Sequence, residues 1–312
     1  MADQKDSKRY KAASIRLSDF ERLHIVEGFG EEVRTDGRTT KQFRPICLET
    51  DVLPQLDGSA RVTAGEVEIV VGIRAELETI IDPTTYFSEE KPLRIDFNVE
   101  FSACSESRFL CKEPMDIAES VRVALNETYS NDEALPSLKR LQLSSRLAWN
   151  LFVDIEIHGY DGNVIDYSGI ALKAALTEFK IPKMRIISDT PDLTSAEIEG
   201  VELPNEVEFI RLDTSRCPLL ITVNLVNGSF AVDLTEAEQS CVTSAFCISA
   251  IVNDENGQPI PDDDNCLITY AANIHRGTME FSTTKEAYKF AIRTLKQLDK
   301  TLQTHLLPKT KK

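Results

Sequence analysis

At 312 residues the chain is long enough to bury a substantial core, as one large domain or two fused halves. Hydrophobic residues make up 42% and charged residues 28%, the balance of an ordinary globular protein. Its 51 acidic against 35 basic residues give a formal charge of −16, which argues against unaided binding of a polyanion, because phosphate contacts depend on Lys and Arg.

The opening residues Met1-Ala2-Asp3-Gln4-Lys5-Asp6 are polar, and no long apolar run follows anywhere. Neither a secretory signal nor a membrane span is expected, and the chain reads as intracellular. Ser18-Asp19-Phe20-Glu21 is a capping box that opens a short helix over Leu23 and Val26, a docked arm before the turn Thr35-Asp36-Gly37. Gly28-Phe29-Gly30 lacks the third glycine of a dinucleotide fingerprint and reads as helix termination.

From Gly58 to Leu77 the pattern has period two, with Val67, Ile69, Val71, Ile73, Ala75 and Leu77 on one face and Gly65-Glu66 at a hairpin. Leu93, Ile95, Phe97, Val99 and Phe101 alternate with charged and polar residues, the pattern of a half-buried strand. A helix is expected around Ile117, Val121, Ala124 and Thr128, then a strand through Leu147 to Ile155. The stretch from Val164 to about Phe179 is a helix apolar nearly all round, hence buried at the centre.

Between Ile181-Pro182 and Pro204 a polar, Pro-punctuated crossing is expected to join two halves. Strands follow near Val207–Leu212, Leu219–Leu225 and Phe230–Asp233, then a capped turn at Thr235-Glu236-Ala237-Glu238 and strands near Cys241–Val252 and Leu267–Tyr270. Thr283-Thr284-Lys285-Glu286 is expected to cap a last helix with Tyr288, Ile292, Leu295, Leu298 and Leu302 on one face. Strand-rich then helical, twice over, is an α+β duplication.

The chemical motifs are sparse. Seven cysteines, Cys47, Cys104, Cys111, Cys217, Cys241, Cys247 and Cys266, form no C-x-x-C pair and read as reduced packing residues. His24, His158, His275 and His305 lie in no nucleophile elbow and no H-E-x-x-H pattern, so hydrolase triads and zinc sites are not expected. Asp254-Glu255-Asn256-Gly257 and Asp262-Asp263-Asp264 lack the closing Glu of an EF-hand and read as solvated turns. Asp233, Glu236 and Glu238 are accounted for by capping of the 235–238 turn, so no metal is assigned there. Arg108 and Arg122 flank the helix around Ile117; RNA contact and a surface ion pair are equally good readings. For Lys309, Lys311 and Lys312, nucleic-acid contact and a solvated terminus are likewise both open.

The most telling stretch is Asp161-Gly162-Asn163-Val164-Ile165-Asp166, the entrance to the buried helix. A helix start offers free N–H groups and a positive dipole end to an anion. This stretch carries no basic residue, and Asp161 and Asp166 are expected to occupy the cradle and repel a phosphate.

Arg34-Thr35-Asp36-Gly37-Arg38, Glu49-Thr50-Asp51, Gly58-Ser59-Ala60-Arg61-Val62, Gly72-Ile73-Arg74-Ala75-Glu76 and the run Ile170 to Leu176 resemble the RNase PH-like subunits of the eukaryotic RNA exosome ring. The likeness runs from Glu27 to Leu302. It implies a duplicated RNase PH-like fold of the ribosomal protein S5 domain 2-like type, two strand-rich halves with central buried helices. The implied division is an arm helix at 1–30, a first half at 31–190 and a second at 191–312. In active members, the resemblance implies, the position of Asn163 through Asp166 holds the attacking phosphate with an arginine and hydroxyls, which Val164, Ile165 and Asp166 do not supply. Two acids six apart would fall at Gln239 and Ala245. The RNA-gripping arginines are reduced to little more than Arg122. No catalytic residue, cofactor or metal is therefore expected, and the implied role is a non-catalytic ring subunit. Its implied partners are other RNase PH-like chains, cap proteins and RNA threading the channel, in nucleus, nucleolus and cytoplasm, with no membrane. An active phosphate-dependent exoribonuclease completed by a ring partner, and an adaptor outside the ring, are the alternatives.

Overall fold

The computed structural model describes residues 17–79, 95–102, 113–131, 133–143, 147–187, 200–202, 208–254, 257–275 and 277–306. A five-stranded sheet is built from β1 (Cys47–Thr50), β2 (Gly58–Ala64), β3 (Val67–Thr79), β4 (Ile95–Phe101) and β5 (Leu147–Gly159), in the order β1-β2-β3-β5-β4. The alternation read from the sequence sets its faces: Val67, Ile69, Val71 and Ile73 are wholly buried, and β4 alternates buried with exposed. Gly65, at φ +61°, turns the β2–β3 hairpin. β4 alone runs parallel to its neighbour β5. A parallel pair needs a long crossover, and α2 (Glu113–Tyr129) lies in that connection and packs on β4.

The second sheet is antiparallel throughout: β10 (Leu219–Val226), β11 (Ser229–Ala231), β12 (Ser244–Ile251) and β13 (Leu267–Asn273), in the order β11-β10-β12-β13. Its back is covered by α5 (Phe281–Leu306), which buries Ala287, Ala291, Ile292, Leu295 and Leu302 against β10 and β12. Between the two sheets lies α3 (Val164–Glu178), touching β1, β2 and β3 on one side and β10 on the other. Every residue from Val164 to Leu176 is buried, which explains why its sequence has no polar face. Gly169 lets the sheet approach, since a Cβ there would fall 2.9 Å from Leu220 Cδ1. Lys173 is the one basic residue of this helix and is itself buried, paired with Asp299 of α5 and donating to the Cys217 carbonyl at 3.0 Å.

Three expectations change. The crossing at 181–204 carries short strands: β6 (Lys180–Pro182) pairs with β9 (Phe209–Arg211), and β7 (Arg185–Ile187) with β8 (Gly200–Glu202). Three residues are too few for a period to show. α5 begins at Phe281, so Thr283-Thr284-Lys285-Glu286 lies inside the helix, where Thr284 Oγ1 donates back to the Glu280 carbonyl at 3.0 Å. The arm helix α1 (Asp19–Gly30) starts at Ser18 with both capping-box bonds present, but it docks through Ile25 and Phe29, while Leu23 is 52% exposed. Ile25 and Phe29 pack with Val226, Ala231, Leu234, Val242 and Ala245 of the second half.

Candidate functional site

Three segments meet at the amino end of α3: residues 34–44 beyond α1, the loop 160–163 leaving β5, and the turn 232–238 that contains α4 (Glu236–Gln239). The loop reverses direction through left-handed backbone at Gly162 and Asn163, with φ +76° and +56°. A Cβ at Gly162 would lie 2.6 Å from the Leu234 carbonyl oxygen, so loop and turn press together with no room for a side chain. Asn163 holds the N-cap position without capping the helix; its Nδ2 donates instead to Asp233 Oδ1 at 3.1 Å.

Asp233, wholly buried at φ +50°, is the hub. Its Oδ2 accepts from the Arg44 main-chain N–H at 2.7 Å and from Arg38 Nη1 at 2.8 Å, and its Oδ1 accepts from Arg44 Nη2 at 2.7 Å. Burial pushes its pKa up, but the hydrogen bonds and charge of Arg44 outweigh that and hold the carboxyl below its ordinary value. Arg44 also donates through Nη1 to Asp161 Oδ2 at 2.8 Å and lies over the Tyr167 ring, 5.5 Å from its centroid. Although burial lowers the pKa of this guanidinium, Asp233 raises it further.

Arg34 closes the other side of the turn. It is 3% exposed, bonds both carboxylate oxygens of Glu238, and donates to the carbonyls of Val232 at 3.2 Å and Asp233 at 2.8 Å. Glu238 Oε2 also accepts from the Thr235 N–H at 2.9 Å, completing the capping box read from the sequence.

The cation-free entrance expected from the local sequence is therefore corrected. Asp166 faces away from the entrance: Oδ2 accepts from the Thr222 N–H at 3.0 Å and Oδ1 from Thr222 Oγ1 at 2.8 Å. Burial lifts its pKa to about 7, against the lowering effect of those two bonds. Asp161 gives Oδ1 to the Glu236 N–H at 3.1 Å and Oδ2 to Arg44. The cations come from residues 34–44, far upstream, and three guanidiniums face the four carboxylates of Asp36, Asp161, Asp233 and Glu238. Arg34 and Arg38 stood within a quoted motif without a role, and Arg44 was not singled out. The signal available was an arginine-rich run just before the first strand.

Val164 and Ile165 are buried packing residues of the first helical turn. Gln239 is half-buried at the end of α4, whereas Ala245 is buried in the apolar cluster under α1. The structure thus does not bring Ala245 to the helix entrance through any polar group, and neither side chain ionises. Arg122, exposed on α2, is held by Glu119 at 2.7 and 2.5 Å, the ion-pair reading. Arg108, Lys309, Lys311 and Lys312 lie outside the described residues.

Residues 42–182 match the family described as 3′ exoribonuclease family, domain 1, the RNase PH domain. The chain is similar to the exosome complex component Rrp42 of Thermococcus onnurineus, 26% identical over 241 residues that span 77% of this chain and 82% of that protein. It is 32% identical over 176 residues to the exosome complex component rrp43 of Schizosaccharomyces pombe, covering 55% of this chain and 63% of that one. Among solved structures, a chain of the Archaeoglobus fulgidus exosome with RNA bound to the active site superposes with a TM-score of 0.67, over 91% of this chain and 98% of its own, at 20% identity. That likeness shows the RNase PH-like mixed α/β fold.

Proposed function

Residues 42–182 of this chain belong to the 3′ exoribonuclease family as its first domain, and from that premise we propose that the protein is a non-catalytic subunit of an RNA exosome ring. Within that ring it corresponds most closely to ribosomal RNA-processing protein 42, with its first half at 31–190 and its second at 191–312. Its work is to complete the ring and hold the RNA path toward other subunits that cut, supporting 3′-to-5′ processing of ribosomal RNA and turnover of messenger RNA. Its partners are other RNase PH-like chains, cap proteins and threaded RNA, in nucleus, nucleolus and cytoplasm.

The observation that carries this reading is the capture of Arg44 and Arg38 by Asp233. Phosphorolysis needs free positive charge at the phosphate and an ionisable group or metal at the leaving oxygen. Here the guanidiniums are engaged by the chain's own carboxylates, and Val164, Ile165, Gln239 and Ala245 offer no replacement. A second reading, an active site shared with a ring neighbour, draws on the same arginines as cations a partner could recruit. Purified protein, alone and with a ring neighbour, is incubated with single-stranded RNA and phosphate. No nucleoside diphosphate that depends on this chain's residues is expected. Release abolished by Arg44→Ala, with assembly intact, would overturn the scaffold reading in favour of the shared site.

A further inference from the structure

The donors around Asp233 exceed what a carboxylate needs. Arg44 N–H, Arg44 Nη2, Arg38 Nη1 and Asn163 Nδ2 converge on its two oxygens at 2.7, 2.7, 2.8 and 3.1 Å, with Arg44 Nε at 3.1 Å. Two planar guanidinium forks, a main-chain N–H and an amide beside the first turn of a helix form a donor set typical of phosphate and sulfate sites. A planar group with two oxygens leaves some of these donors idle. Arg38 Nη2 is buried with no hydrogen-bond partner, on a side chain only 10% exposed, and so is Tyr167 Oη beneath Arg44. Orphaned buried donors are rare and costly, and a tetrahedral anion has further oxygens with which to meet them. Asp161 and Asp36, 24% and 34% exposed, lie at the rim and give the seat a route to solvent.

We propose that Asp233 is a built-in plug: its carboxylate fills a seat for a tetrahedral oxyanion of the phosphate class, and the seat binds inorganic phosphate once that carboxylate is removed. The inference deepens the reading above and rests on it for identifying the seat with the place where attacking phosphate would lie. Stability rather than RNA cleavage tests it, so the two can fail separately.

The test uses the full chain carrying Asp233→Gly, a substitution that suits the φ of +50° while deleting the plug. Thermal unfolding is followed in phosphate, in sulfate and in chloride at matched ionic strength. At phosphate one hundredfold above its dissociation constant, mass action gives a stabilisation of about 2.7 kcal/mol, read as a rise of several degrees in the midpoint. The unsubstituted chain should respond to phosphate no more than to chloride. In Asp233→Asn, which keeps the side-chain volume, phosphorus NMR should show phosphate line broadening that sulfate reverses. Equal responses to phosphate and chloride in both variants, or a native response as large as theirs, would refute the plug. So would failure of both variants to fold with phosphate and sulfate present, because the anion is required to replace the lost charge. RNA phosphorolysis by the native chain would sink the scaffold reading and leave these outcomes interpretable.

Discussion

Lys173 and Asp299 form an ion pair enclosed on all sides, tying the central helix α3 to the last helix α5, with side chains 2% and 3% exposed. Asp299 also accepts from Asn253 Nδ2 at 2.6 Å and Gln303 Nε2 at 2.9 Å. Breaking such a pair by removing one partner strands a buried charge and costs about 3–5 kcal/mol, whereas replacing both with apolar groups costs far less. Lys173→Met should therefore destabilise the fold by that amount in urea titration. The double variant Lys173→Met with Asp299→Leu should regain part of the loss, limited by Asn253 losing its acceptor.

Arg44 bridges two carboxylates, Asp233 and Asp161, with one planar fork. Arg44→Ala leaves Asp233 wholly buried and short of its principal partner, and a loss of about 3–5 kcal/mol is expected. A lysine cannot reproduce the bidentate geometry, so Arg44→Lys should recover less than half. Chemical denaturation of the three proteins side by side checks both statements.

Asp166 gives stability an unusual slope with pH. Its pKa is raised from 3.8 to about 7 in the fold, chiefly by burial, with the nearby Asp233 charge adding to the rise against the Thr222 bonds. Between those values the folded chain binds more protons than the unfolded one, so this residue makes stability fall as pH rises across the window. Asp233 acts in the opposite sense: its lowered pKa contributes stability that is present above the unfolded value of 3.8 and lost as pH falls through the folded one. Asp166→Asn imitates the protonated acid toward Thr222. The variant should show a flatter stability profile between pH 4 and 7 than the native chain, measured by urea unfolding at each pH.

Gly162→Ala should destabilise by roughly 1–3 kcal/mol, because the position needs φ +76° and the added methyl meets the Leu234 carbonyl. The same change at Gly37, also at φ +79° but with nothing near its Cβ, should lose only the conformational part. Differential scanning calorimetry of the two variants separates crowding from backbone preference.

Much of the fold is written in local patterns. The alternation from Val67 to Ile73 gives β3, the uniform apolarity of 164–176 gives a helix covered on two sides, and the boxes at Ser18 and Thr235 mark helix starts because capping bonds span only three residues. The same brevity misleads at Thr283, where threonine and glutamate three apart sit within a helix. The polar core of the site is another matter. Arg44 stands among polar residues and looks like surface, and the residue that buries it lies 189 positions further on. Asp166 is read correctly as an acid in the first turn but not in its direction, since Thr222 on a strand of the other sheet decides where it points.

The pairing of Arg44 with Asp233 also imposes an order of events on a chain made from its amino end. At roughly 5–20 residues per second, about 10–40 s pass between the making of the arginine and that of the aspartate 189 positions later. Through that interval Arg34, Arg38 and Arg44 stay hydrated on an unanchored arm, and the amino end of the central helix stays open. Closing that end is one of the last acts of folding, and a nascent chain halted short of residue 233 would expose the arginines to whatever anion is at hand.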